Sequence, residues 1–120
     1  MNGRVSGPGV AEGLEYDDGL IACSPDELVI RRYGPLLGQK RIPYAEIREV
    51  REFELNAARR WRLWGTTDPR RWFNLDLGRR HKRVAFLIDL GKRVSPVITP
   101  DDPQRVAAVL RPHGVEVRDR

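Results

Sequence analysis

Cysteine occurs once, at Cys23, so no bridge can close within the chain, and a reduced compartment, the cytoplasm, is the expectation. Its neighbours Ile21 and Ala22 mark the thiol as a small core residue rather than a nucleophile. No apolar run follows Arg4, so the start of the chain does not read as a secretory signal. No window approaches the roughly 18 apolar residues of a membrane span, which leaves peripheral contact at the inner membrane face as the expected limit of any bilayer association. Gly-rich phosphate loops, zinc-ligand spacings and nucleophile elbows are all missing. Glu46, Glu49, Glu52 and Glu54 fit no acid/base arrangement, and neither His81 nor His113 has a spaced partner. The expectation is therefore no enzyme, no metal and no cofactor.

Lysine is scarce as well. Of 22 basic residues only Lys40, Lys82 and Lys92 are lysine, a skew that a GC-rich coding bias would produce without any function. What the chain does have is 120 residues, enough for one domain with its own core, and a formal charge of +5 with a pI near 10.0. That balance favours anionic partners: nucleic acid, acidic lipid or an acidic protein face.

Residues 1–15 form an expected flexible tail, because Gly3, Gly7, Pro8, Gly9 and Gly13 sit among too few apolar residues to offset the ordering entropy. The domain is expected over residues 16–120. Leu20 to Cys23 is a short apolar run, Ser24-Pro25-Asp26-Glu27 has turn chemistry, and Leu28 to Tyr33 completes a hairpin. Gly34 to Gly38 connects to a third strand over Gln39 to Ile42, which Pro43 ends. Beyond it Tyr44, Ile47, Val50, Glu54, Ala57, Ala58 and Trp61 recur near a helical period, while Val50 to Leu55 alternates as a strand does. The reading that reconciles them is one turn at Tyr44 to Glu46 and then a strand from Ile47 to Leu55.

Strands are further expected at Arg60 to Trp64, Trp72 to Leu75, Val84 to Ile88 and Arg93 to Ile98, the fourth demoted to an edge or bulge by Pro96. Gly65 to Pro69 reads as a loop and Gly78 to Arg83 as a charged turn. Asp102 then caps a helix that begins at Pro103, buries Val106, Val109 and Leu110 on one face, and stops at Pro112 and Gly114. A run of strands followed by one amphipathic helix is an α+β plan.

Three motifs in order, Ser24-Pro25-Asp26-Glu27-Leu28-Val29-Ile30, then Ile42-Pro43-Tyr44-Ala45-Glu46-Ile47-Arg48-Glu49-Val50, then Val97-Ile98-Thr99-Pro100-Asp101-Asp102-Pro103, resemble the bacterial pleckstrin-homology-like (PH-like) domains over roughly Gly19 to Gly114. The resemblance implies a split seven-stranded antiparallel β-barrel, two near-orthogonal sheets, capped by one C-terminal α-helix. It also favours the strand after Tyr44. Two departures matter. Many bacterial members are attached to membrane helices, of which this sequence shows none, and the first hairpin loop here has Asp26 and Glu27 where lipid-binding members have paired basic residues, so no lipid site is carried over.

The segment from Arg59 to Arg83 is the candidate binding surface. Arg59, Arg60, Arg62, Arg70, Arg71, Arg79, Arg80, Lys82 and Arg83 are interleaved with Trp61, Trp64, Trp72 and Phe73, against only Asp68 and Asp76. Arg forks grip phosphate and aromatic faces stack on bases or settle at a bilayer surface. The plainer reading makes the aromatics core and the Arg stems its cover, with heads in water. The function expected is a non-enzymatic interaction module that binds a protein partner or forms a homo-oligomer. The alternative is peripheral binding of anionic membrane or, less favoured, nucleic acid through Arg59, Arg60, Arg62, Trp64, Arg70, Arg71, Trp72, Arg79, Arg80, Lys82 and Arg83. A catalytic role around Asp76, Arg80 and His81 is the remotest reading.

Overall fold

A computed structural model describes residues 13–34, 38–55 and 71–119. The strand expected at Arg60 to Trp64, the loop after it and most of the N-terminal tail lie outside these residues. Four strands form the first sheet, in chain order: β1 (Tyr16–Asp17), β2 (Ile21–Cys23), β3 (Glu27–Ile30) and β4 (Lys40–Pro43). The β2–β3 turn is the Ser24 turn that its chemistry predicts. Ser24 Oγ accepts from the Asp26 and Glu27 amides at 3.2 and 3.0 Å, and the Ser24 amide donates to the Glu27 carbonyl at 2.9 Å.

Pro43 ends β4, a single 3-10 turn occupies Tyr44–Glu46, and the chain re-extends as β5 (Glu49–Glu54). Helical periodicity loses here because β5 pairs antiparallel with β7 (Val84–Asp89) at every residue, from Glu49 opposite Asp89 to Glu54 opposite Val84. The second sheet holds five strands in the order β6 (Arg71–Phe73), β8 (Ser95–Ile98), β7, β5 and β9 (Val117–Asp119). β7 lies at its centre, buried on both faces, which is why Val84 to Ile88 reads as a continuous apolar run.

Five expectations need correction. The described residues contain nine strands, not seven, and the two sheets are separate and open rather than closed into a barrel. The sheets are not antiparallel throughout, since β6 pairs with β8 and β5 with β9 in parallel. β9 follows the helix, where no strand was expected. Finally, β8 is interior, not an edge. Leu55 N donates to Arg83 O, so alternate residues through Leu87 face β5, and the register of β7 with β8 puts Pro96 opposite Ile88. That is the one rung Pro96 cannot complete, and β8 keeps its place by pairing in parallel with β6 on its other side.

The inner faces of both sheets meet in one core that includes Ile21, Leu28, Ile30, Ile42, Val50, Phe86, Ile88 and Ile98. Helix α1 (Pro103–Leu110) closes it with Val106, Ala107 and Leu110, lying against β1, β2 and β7. Asp102 caps the helix as expected: Oδ1 accepts from the Arg105 amide at 3.1 Å, with Pro103 in the first turn. The helix entry is tied to β1 by Asp102 N to Tyr16 Oη at 3.1 Å and Asp101 N to Asp18 Oδ2 at 2.8 Å. A 3-10 turn at Arg111–His113 follows, and Gly114, at φ +84°, takes the left-handed exit that a side chain would resist. The outer face of the second sheet carries a smaller buried cluster of Leu55, Phe73, Ala85 and Val97.

Two substitutions should separate the helix's packing from its capping. Leu110→Ala is expected to cost about 2–5 kcal/mol and Asp102→Ala about 1 kcal/mol in urea denaturation. Equal costs would show that α1 does not hold the core.

Candidate functional site

The basic turn between β6 and β7 is organised from inside. After Phe73 the chain runs Asn74-Leu75-Asp76-Leu77-Gly78, turns once as a 3-10 segment at Arg79–His81, and enters β7 through Lys82 and Arg83. Asp76 closes the turn twice, with Oδ1 accepting from the Gly78 amide at 2.9 Å and its carbonyl accepting from the Arg79 amide at 3.1 Å. Arg79 is 0% exposed. Its Nε donates to Thr99 Oγ1 at 3.1 Å, Nη2 donates to Asn74 Oδ1 at 2.9 Å, and its Cζ lies 5.0 Å from the Phe73 ring centroid. Lys82 Nζ donates to Asp76 Oδ2 at 2.7 Å, to the Thr99 carbonyl at 2.6 Å and to Asp101 Oδ1 at 3.0 Å. Thr99 Oγ1 completes the circuit by donating to Asp76 Oδ2 at 2.8 Å.

The charges follow from that geometry. Burial pushes the Arg79 guanidinium down to about 10, with Asp76 opposing the shift. Burial would raise the Asp76 carboxyl, but hydrogen bonds from Lys82 and Thr99 outweigh it and hold the group below the usual carboxylate range. Burial likewise works against the Lys82 charge, and Asp76 and Asp101 overcome it, so that pKa rises. Opposite charges this close neutralise each other, and the arrangement is suited to fixing a loop.

The same loop is stitched to the far end of the first sheet. Trp72 Nε1 donates to the Tyr33 carbonyl, Leu75 N donates to the Arg32 carbonyl at 2.8 Å and Asn74 Nδ2 donates to the Arg31 carbonyl at 3.2 Å. Three consecutive carbonyls thus face one strand end, and Arg32 adopts φ +55° there, a conformation costly for a side-chain-bearing residue. Tyr33 meets Trp72 at 6.3 Å between ring centroids, and Lys40 Nζ lies 5.6 Å above the Tyr33 ring.

The expected surface residues therefore part company. Arg59, Arg60, Arg62, Trp64 and Arg70 lie outside the described residues. Arg71 and Trp72 are half-buried, and Arg71 Cζ sits 5.7 Å from the Phe53 ring centroid. Arg79 points inward, which neither sequence reading foresaw, and Lys82 is committed to Asp76 and Asp101. Arg80 falls within the 3-10 turn. Arg83 and His81 are exposed. What sequence reasoning missed is the company these residues keep: Arg32, Tyr33 and Lys40 beside Trp72, and Asn74 and Thr99 beneath the turn.

Elsewhere, Cys23 is fully buried and burial pushes its thiol up to about 12, in keeping with a core role. His113 stacks on Tyr44 at 4.3 Å and lies 2.7 Å from Glu15 Oε1 through Nε2. Glu49, on the outer face of the second sheet, binds Arg51 and Arg118, and these bonds, Arg51's first, hold its carboxyl below the usual range. Among the described residues no three His, Cys, Asp or Glu side chains are grouped to hold a metal, and no helix is long and apolar enough to cross a membrane.

No protein-family model, curated protein or solved structure matches the chain. Fold and site together define a small α+β domain of two open sheets, with one C-terminal helix closing the shared core and an internally braced basic turn at one end.

Removing Lys82 should expose how much that brace matters. Lys82→Met leaves the Asp76 carboxylate, 5% exposed in its side chain, without its directly bonded counter-charge, Arg79 being the cation that remains, and should cost about 3 kcal/mol. The pH dependence has a fixed sign. Because the folded Asp76 pKa lies below the unfolded value near 3.9, its stabilisation is full above that value and is lost as pH falls through the folded pKa. Asp76→Asn should flatten the acid limb of the urea midpoint against pH; an unchanged limb would assign acid sensitivity to other carboxylates.

Proposed function

We propose that the chain is a non-enzymatic, PH-like interaction module that docks a partner strand, from another protein or from a second copy, onto an open sheet edge. The observation that carries this reading is that, among the described residues, both sheets end in edges, β1 and β4 in one and β6 and β9 in the other. A strand edge offers unpaired amides and carbonyls to another chain, and added main-chain hydrogen bonds supply affinity.

The edges are not equivalent. Tyr44 N donates to Asp26 O, so Ile42 faces β3 while Arg41 and Pro43 face outward, and Pro43 brings no amide to that edge. β4 is thus blunted by its own sequence. β9 differs: Val50 N donates to Glu116 O, so Glu116 and Arg118 face β5, and Val117 and Asp119 turn their backbone groups away from it. Among the described residues the Val117 carbonyl has one lateral partner, a long 3.4 Å bond from Arg111 Nη2. The β9 edge is the one we assign to docking.

A second reading, contact with a polyanion through the segment 59–83, draws support from Arg83 and His81, which are exposed, and from Arg71, which is half-buried.

Light scattering across a wide concentration range, with affinity capture by the intact chain, tests the first reading. Self-association or a recovered partner is expected, weakened in Asp119→Pro, which removes an outward amide and leaves the β5 ladder intact. A strict monomer with no partner recovered would contradict it.

A further inference from the structure

We propose that the turn between β6 and β7 is a docking tip for an anionic lipid surface, with Leu77 as the residue that enters the bilayer interface. The inference rests on the second reading above and narrows it to one ligand chemistry. Leu77 is 60% exposed, and among the described residues one other large apolar side chain is exposed, at 39%. The other, Val94, lies in the turn after β7, at the opposite end of that strand.

Leu77 is not exposed for want of a fixed backbone. Asp76 on one side is 4% exposed and closes the turn onto the Gly78 and Arg79 amides. Arg79, two residues on, is fully buried and bonded to Asn74 and Thr99. Lys82 ties the far side of the turn to Asp76 and the Thr99 carbonyl. The turn is braced on both sides of Leu77, so the side chain is held outward and little ordering entropy remains to be lost on docking.

Its surroundings suit a lipid headgroup layer. Arg83 is exposed at the end of the same turn, and exposed Arg32 is brought alongside by its carbonyl's bond from Leu75 N at 2.8 Å. The exposed Asp101 carboxylate nearby is paired with Lys82 Nζ at 3.0 Å, which mutes its repulsion of anionic headgroups. An exposed aliphatic side chain in a turn that also carries exposed Arg83 matches an acyl boundary beneath anionic headgroups. Base stacking would draw on the exposed His81 ring of this turn and leave the exposed Leu77 unused, whereas a bilayer uses it.

The test is co-sedimentation of the intact chain with phosphatidylcholine vesicles, with and without phosphatidylserine. Binding is expected only with phosphatidylserine. It should fall on the order of tenfold in Leu77→Ser and about fivefold in Arg83→Ala. A polarity-sensitive dye on Leu77→Cys should shift to the blue on binding, a readout that loss of fold would not mimic. Phosphatidylserine-dependent binding that Leu77→Ser leaves unchanged would overturn the insertion tip while the polyanion reading stands. Binding of an oligonucleotide but no vesicles would overturn the lipid assignment, and binding of neither would overturn both.

Discussion

The antiparallel ladder between β5 and β7 is the constraint on which the rest depends. It pairs Glu49 to Glu54 with Asp89 to Val84 residue for residue, and its two faces are put to different uses. Val50, Phe86 and Ile88 turn inward to the core shared with the first sheet and α1, while Phe53, Ala85 and Leu87 turn outward to the smaller cluster. A one-residue slip of β5 would exchange its faces and turn Glu49 and Arg51 toward the core in place of Val50, so the alternation in β5 pins the register. Every later element is placed against this pair: β8 beside β7, β9 beside β5, and the helix across the inner face.

A second constraint joins the sheets where backbone continuity does not. Asp76, Arg79, Lys82, Thr99 and Asn74 form a connected polar group at the end of β6 and β8, and Asn74, with Leu75 and Trp72, reaches the carbonyls of residues 31–33. A buried cation is costly by itself, and it is tolerated here because its donors are matched by acceptors on neighbouring segments. The consequence for function is a basic turn whose shape is set from beneath. Its outward groups, Leu77 and Arg83, are consequently displayed rather than free to collapse.

Local chemistry was legible in the sequence wherever it acts through neighbours in the chain. Ser24 before Pro25, Asp26 and Glu27 specifies its own turn, Asp102 before Pro103 specifies a helix start, and the unbroken run from Val84 to Ile88 specifies a strand covered on both faces. Pairings between distant residues were not. β9 depends on β5, with which Val117 pairs across the whole middle of the chain, and the alternation of Val115 and Val117 was its only local trace. The interior position of β8 was hidden because Pro96 does forfeit a rung, and only the parallel partner β6 shows why the strand tolerates it. The burial of Arg79 was illegible for the same reason: among arginines on every side, nothing local marks the one that Asn74 and Thr99 receive. As for the candidate surface, composition locates a basic aromatic stretch but says nothing about which heads face inward.

The most direct measurement is nuclear magnetic resonance across the β5–β7 pair. Leu55 N bonded to Arg83 O makes Val50–Ile88 and Glu52–Phe86 the close, non-hydrogen-bonded pairs, whose Cα hydrogens approach most nearly. Strong Hα–Hα cross-peaks between Val50 and Ile88, and between Glu52 and Phe86, are the result this account predicts. Sequential amide–amide cross-peaks running unbroken from Ile47 to Leu55, with no contact to β7, would mean a helix there and would contradict it.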